Sequence, residues 1–206
     1  MSEELIQDSV NRGFCTINHI FTMQNYGVQE CLYELFKEFD IDNIIEVGTH
    51  SGGFTTMLSI AREKANKHFN IYTYDIQHVD HIDEISKIYN FNVIKSCIFK
   101  AIQNDSITES IFNKFKKVIF VDGSNKKIEF NLLAKYLLPG DIIAAHDYCK
   151  DSKIYEENLK NKKVWQWMEV QESDVIDTIN AYNLVDLPSN LSEKFEEVAW
   201  LIKAKQ

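Results

Sequence analysis

The chain has 206 residues, 45% of them hydrophobic and 12% aromatic, which is enough to bury one sizeable core and too apolar for a disordered segment. Its 31 acidic and 22 basic residues leave a formal charge of −9, opposite in sign to a surface built to neutralise phosphates, so no nucleic-acid partner is expected. No apolar run approaches bilayer thickness, and the opening Met-Ser-Glu-Glu is acidic where a targeting segment is basic, so no membrane partner is expected either. The four cysteines (Cys15, Cys31, Cys97 and Cys149) lack metal-ligand spacing and read as free thiols of a cytoplasmic protein. The basic clusters 114–117 and 161–163 are short and read as solvated surface.

In chain order, residues 1–40 read as an N-terminal helical region, with apolar residues at helical spacing over 28–39. Strand-like and helix-like runs then alternate. Residues 44–47 form a first strand and 54–67 a helix; 71–75 a second strand and 81–89 a helix. Residues 91–94 form a third strand and 105–115 a helix; 118–122 a fourth strand, apolar throughout as expected when both faces are covered. A helix over 127–137 is stopped by Leu138-Pro139-Gly140, and 141–145 is a fifth strand. In the tail, 164–170 and 195–203 are strand-like around a helix near 173–182. The alternation predicts an α/β chain with a Rossmann-like, doubly wound parallel sheet, folded as a single domain over 1–206.

The most informative stretch is Ile44-Ile-Glu-Val-Gly-Thr-His-Ser-Gly-Gly-Phe-Thr55, a strand running through a glycine turn into a helix. Gly48, Gly52 and Gly53 let the turn bend sharply and admit a ligand to the backbone. Dinucleotide sites want Gly-x-Gly-x-x-Gly, whereas this chain has Glu46-x-Gly48-x-x-x-Gly52. Ligands in open α/β sheets bind beyond the carboxyl ends of the strands. Those ends carry Glu46, Asp75, Asp122 (with Ser124 and Asn125 beyond), and His146 with Asp147. Asp75 follows Glu46 by 29 positions, near the spacing of an acid that holds ribose hydroxyls; an acidic helix cap is the competing reading.

The glycine motif resembles the first motif of class I S-adenosylmethionine-dependent methyltransferases. With Phe21-Thr-Met-Gln-Asn-Tyr-Gly27, Val121-Asp-Gly-Ser-Asn125, Leu137-Leu-Pro-Gly-Asp141 and Ala145-His-Asp-Tyr148, the likeness over 22–148 is to the cephalosporin-hydroxylase-like group of small-molecule O-methyltransferases. The resemblance implies a seven-stranded sheet of the class I methyltransferase type with its last strand antiparallel. It implies a cofactor-binding core over 41–150, and the end of the sheet with substrate-side loops over 151–206. Glu46, Gly48, Thr49, His50, Gly52, Asp75 and Asp122 would bind S-adenosylmethionine, with residues 96–99 bordering its adenine. In the group, acids after strands four and five hold a divalent metal; by position these are Asp122, His146 and Asp147, which would suit Mg²⁺ or Mn²⁺. The group's pair is Glu-Asp or Asp-Asn where this chain has His-Asp, so His146 acting as general base, oriented by Asp147, is the alternative.

The expected activity is therefore methyl transfer to a small hydroxylated acceptor, a sugar or natural-product type of molecule. Homo-oligomerisation is compatible with the sequence. A nicotinamide-dependent oxidoreductase keeps the fold but lacks the glycine spacing and a Tyr-x-x-x-Lys pair, and a non-catalytic binding protein of the same fold is the third alternative. His78 and His81 make an incomplete metal pair and read as surface loop. Trp165, Trp167 and Trp200 read as sheet packing rather than an acceptor wall, and 149–163 as a connection or a lid.

Overall fold

The computed structural model describes residues 5–7, 14–17, 20–77, 79, 81–113 and 116–206. Seven strands form the main sheet: β1 (Asn43–Val47), β2 (Asn70–Asp75), β3 (Asn92–Lys95), β4 (Lys117–Val121), β5 (Ile142–His146), β6 (Leu184–Val185) and β7 (Trp200–Lys205). Their spatial order is β3-β2-β1-β4-β5-β7-β6. β1 pairs in parallel with both β2 and β4, and β3 and β5 extend the sheet in parallel on either side. β7 runs antiparallel to β5 and β6. Strand order reverses between β1 and β4, which opens a crevice at their carboxyl ends.

Helices cover both faces: α1 (Val28–Glu38), α2 (Gly53–Lys64), α3 (Ile82–Tyr89), α4 (Ile98–Asn104), α5 (Ser106–Asn113), α6 (Lys126–Leu133), α7 (Glu172–Ala181) and α8 (Leu191–Glu197). Alternate side chains of one strand enter opposite cores. Ile44, Phe120 and Ala144 pack with α1, α2, α3 and α8, while Ile45, Ile119 and Ile143 pack with α4, α5, α6 and α7. Two-sided burial explains why β4 and β5 are apolar along most of their length. Phe54, Phe120 and Trp200 meet with ring centroids 5.0–5.5 Å apart, pinning α2 and β7 to the middle of the sheet.

Three expectations are corrected. Among the described residues, helix in the N-terminal region is confined to α1. Phe14–Ile17 and Ile20–Asn25 instead pair as an antiparallel hairpin, extended by Leu5–Gln7. Cys15, Ile17, Thr22 and Gln24 are the buried residues, a period of two concealed by two polar members. In the tail, 164–170 contributes only the first residue of a short strand, Val170–Gln171, which pairs in parallel with Tyr148–Cys149 outside the main sheet; β6 takes the expected place. Phe195 belongs to α8, because Leu191 and Phe195 bury one helical face at i, i+4 spacing, and the last strand begins at Trp200.

Helix α4 was not expected from sequence; at seven residues it is too short for a periodic signal. Lys117 is no surface residue: its ammonium and the Asp141 carboxylate pair with both side chains fully buried, at the amino-terminal ends of β4 and β5, opposite the crevice. His78, residues 1–4, Lys114 and Phe115 lie outside the described residues, and His81 is exposed at the start of α3. The four cysteines are free. Among the described residues no helix is long and apolar enough to cross a membrane.

Candidate functional site

The glycine turn is locked between its neighbours. Gly48 has φ +100°, and a Cβ there would sit 2.3 Å from the Asp122 carbonyl oxygen; a Cβ on Gly53 would sit 2.1 Å from that of Phe21. Only glycine lets the turn lie against both the end of β4 and the N-terminal hairpin. Gly52 caps α2 in a left-handed conformation, and His50 (φ 47°) is also left-handed, with an exposed side chain. Asp75 ties the turn down. Its Oδ2 accepts from the His50 backbone N–H at 2.9 Å and its Oδ1 from that of Gln77 at 2.9 Å. Thr49 is buried, its Oγ1 2.6 Å from that of Thr73.

Glu46 lies beneath this turn. It is fully buried, accepts a hydrogen bond from Thr55 Oγ1 at 2.5 Å, and lines neither cavity described below. Burial pushes its carboxyl up to about 8, so it carries a proton at neutral pH.

Two cavities open at the carboxyl ends of the strands. One, about 410 Å³, runs past Asp75 and the 96–99 segment to Ser124 and Glu129. The other, about 330 Å³, is bounded by Thr22 and Met23 of the hairpin, by Lys126, His146, Asp147 and Glu169, and by Trp165 and Trp167. Gly48, His50 and Asp122 belong to both walls. Trp165 and Trp167 thus face this chamber, correcting the expectation of sheet packing, while Trp200 packs in the sheet as expected.

The second cavity is polar at its floor. His146 is 2% exposed and lies between Trp165 and Trp200, ring centroids 4.7 and 4.6 Å away. Its Nδ1 is 2.9 Å from Asp122 Oδ1; its Nε2 is buried with no hydrogen-bond partner among the described residues. Asp122 Oδ2 accepts from Gln24 Nε2 at 2.9 Å, and Gln24 Oε1 accepts from Trp200 Nε1 at 2.9 Å. Asp147 adopts a left-handed backbone (φ 56°), an uncommon state for a residue with a side chain. Its Oδ1 accepts from Trp165 Nε1 at 2.6 Å, and its Oδ2 pairs with Lys126 Nζ at 2.9 Å. Lys126 also reaches Glu169 Oε2 at 3.1 Å and Asp122 Oδ1 at 3.7 Å.

Burial works against charge on all three groups, and the charges around them win. Burial draws the His146 imidazole down, but Asp122 and Asp147 leave it above its ordinary value. Burial raises Asp147, yet His146 and Lys126 hold it below. Burial lowers Lys126, yet Asp122, Asp147 and Glu169 hold its ammonium firmly protonated.

Sequence reasoning missed Gln24, Lys126, Trp165 as a donor, and Glu169. Asp122, His146 and Asp147 do converge, one potential ligand atom from each lying within 4.8 Å of the others. All four carboxylate oxygens of Asp122 and Asp147 and the His146 Nδ1 already have partners on the chain, His146 Nε2 alone has none among the described residues, and a cation, Lys126, already stands among the acids. The donor set does not fit a resident divalent ion.

No family model and no curated protein sequence matches the chain. Solved structures match its fold at low identity. A structure described as CmcI with Mg and SAM aligns over 87% of this chain and 72% of its own, at 12% identity and TM-score 0.51. CmcI with SAH aligns over 91% and 81%, at 9% identity and TM-score 0.56. An O-methyltransferase family protein from Burkholderia thailandensis aligns over 87% of this chain and 56% of its own, at 8% identity and TM-score 0.52. The shared feature is the class I methyltransferase fold, with its seven-stranded sheet and antiparallel final strand.

Proposed function

We propose that the chain is an S-adenosylmethionine-dependent methyltransferase that methylates an oxygen of a small hydroxylated molecule of sugar or natural-product type. The observation that carries this reading is the pair of cavities walled in common by Gly48, His50 and Asp122. One chamber suits an adenosyl donor, the other an acceptor, and a methyl group would cross where they meet.

In the larger chamber Asp75 would receive the ribose hydroxyls with the lone pairs it does not give to His50 and Gln77, and residues 96–99 would flank the adenine. Gly48, Thr49, His50 and Gly52 would shape the approach to the methionine part, with Glu46 supporting them from below. In the smaller chamber the indoles of Trp165 and Trp167 offer an apolar wall to the acceptor, beside the polar floor.

Transfer is an in-line displacement: an acceptor oxygen forms the new bond to carbon as the sulfur–methyl bond breaks, yielding S-adenosylhomocysteine. The hydroxyl proton would leave to the Asp122–His146 pair, whose facing atoms are 2.9 Å apart. Collinear positioning in a partly closed chamber would supply the rest. A divalent activator of the kind the resemblance implies would have to displace Lys126 from its three acids, and the proposed transfer does not use one.

Calorimetric titration with S-adenosylhomocysteine tests the donor half: saturable binding is expected, abolished in Asp75→Ala. His146→Ala should keep that binding and lose turnover across an acceptor panel. A folded wild type that takes up no S-adenosylhomocysteine sinks the proposal.

A further inference from the structure

We infer that the Lys126 ammonium is the built-in cation of the acceptor chamber, standing where a metal-dependent enzyme would hold a divalent ion. The inference rests on the methyltransferase reading for what the cation does, but its charge arrangement stands independently.

Lys126 opens α6, four residues after Asp122, and the tight turn over 123–125 brings its ammonium back over the end of β4. Its side chain is 8% exposed and lines the 330 Å³ cavity. Three carboxylates surround it: Asp147 at 2.9 Å, Glu169 at 3.1 Å and Asp122 at 3.7 Å. A buried ammonium with this many acids is held in place, because removing it would leave like charges facing one another in a poorly solvated pocket.

The chain also fixes the acids from outside. Trp165 holds Asp147 Oδ1 and Gln24 holds Asp122 Oδ2. The backbone N–H groups of Glu169 and Val170 donate to the Asp147 carbonyl at 2.9 and 3.1 Å, so the loop that brings Trp165 also brings Glu169 to Lys126. An ion entering here would displace the ammonium, or sit beside it and suffer repulsion. The three acids have about the charge a divalent ion needs, and Lys126 has already taken that position.

The acceptor consequence is specific. A divalent ion chelates two neighbouring hydroxyls, whereas the Lys126 ammonium has three N–H donors, two of them spent on Asp147 and Glu169 at 2.9 and 3.1 Å, which leaves one for an acceptor oxygen. The acceptor is therefore a molecule presenting a single acidic hydroxyl or oxyanion to Lys126, and vicinal hydroxyls are not required.

Manganese binding, read by electron paramagnetic resonance, tests the inference without reference to turnover. Wild-type protein and Lys126→Arg should leave millimolar Mn²⁺ free. Lys126→Met, which keeps the length of the stem and drops the charge, should gain Mn²⁺ affinity by tenfold or more, and adding Asp147→Asn should remove that gain. Where turnover is measurable, wild-type rate should be indifferent to a chelator. Mn²⁺ held by the wild type in a manner lost on Asp147→Asn, or no gain in folded Lys126→Met, overturns the inference. S-adenosylhomocysteine binding, measured on the same samples, separates this failure from failure of the methyltransferase reading.

Discussion

Replacing Glu46 with glutamine tests the buried floor of the glycine turn. Glu46 is fully buried, takes one hydrogen bond from Thr55, and leaves Oε1 without a partner among the described residues. Its carboxyl ionises near 4.5 when solvated and near 8 in the fold. At about 1.4 kcal/mol per tenfold change in proton affinity, the full difference is about 5 kcal/mol. Below pH 4.5 both folded and unfolded chains carry the proton, and the site costs nothing extra. As pH rises from there, the unfolded chain ionises while the fold retains its proton, so stability falls until pH 8, where the loss is complete.

At pH 7 about 3 kcal/mol of that difference has been lost. Glutamine has the same shape, keeps an acceptor for Thr55 and cannot ionise. Urea unfolding of both proteins, followed by tryptophan fluorescence at pH values from about 5 to 9, should give stabilities that diverge up to about pH 8 and hold a constant gap above it, with the variant the more stable. Parallel curves across that interval would refute the assignment of Glu46 as a protonated buried acid.

Other sites give sharper structural tests. Trp165→Phe keeps an aromatic side chain but removes the N–H that holds Asp147 at 2.6 Å, along with part of the buried indole; a loss of at least about 1.5–3 kcal/mol in urea unfolding is expected, and no loss would argue that the bond carries little. Lys117→Ala strands the Asp141 carboxylate, which also accepts from the backbone N–H groups of Lys117 and Leu138 at 2.9 and 2.7 Å. Its cost should be about 3–5 kcal/mol with no change in ligand affinity if the protein is assayed while folded, because the pair lies at the amino-terminal ends of β4 and β5, a strand's length from the crevice. Gly48→Ala should weaken S-adenosylhomocysteine binding and lower the melting temperature together, since its Cβ has no room beside Asp122. A melting curve that matches wild type would show that the turn yields.

The scaffold was legible because its signals are local. Each apolar run of β1, β2, β4 and β5 has a polar residue at or next to its carboxyl end, and that juncture is where the crevice forms. The glycine turn announced itself through positions that tolerate no side chain. What stayed hidden comes from distant segments with ordinary local signatures. Gln24 reaches Asp122 across 98 positions from a hairpin whose inward residues are partly polar, so its period was obscured. Lys126 looks in sequence like any lysine in the first turn of a helix; only the return of that turn over Asp122 and Asp147 gives it a role.

Trp165 and Trp167 alternate as strand residues do, but the segment is held by the Trp165 side-chain bond to Asp147 and a tilted ring contact with His146 rather than by a sheet ladder. The tail differs from expectation for the same reason: β6 is two residues long, too short to register as a strand.

A crystal structure with S-adenosylhomocysteine tests the central claim most directly. The ribose should lie on Asp75, the adenine along 96–99, and the sulfur beside Gly48 and Asp122, facing the chamber walled by Trp165 and Trp167. A ligand bound elsewhere, or turned so that its sulfur points away from that chamber, would contradict the account.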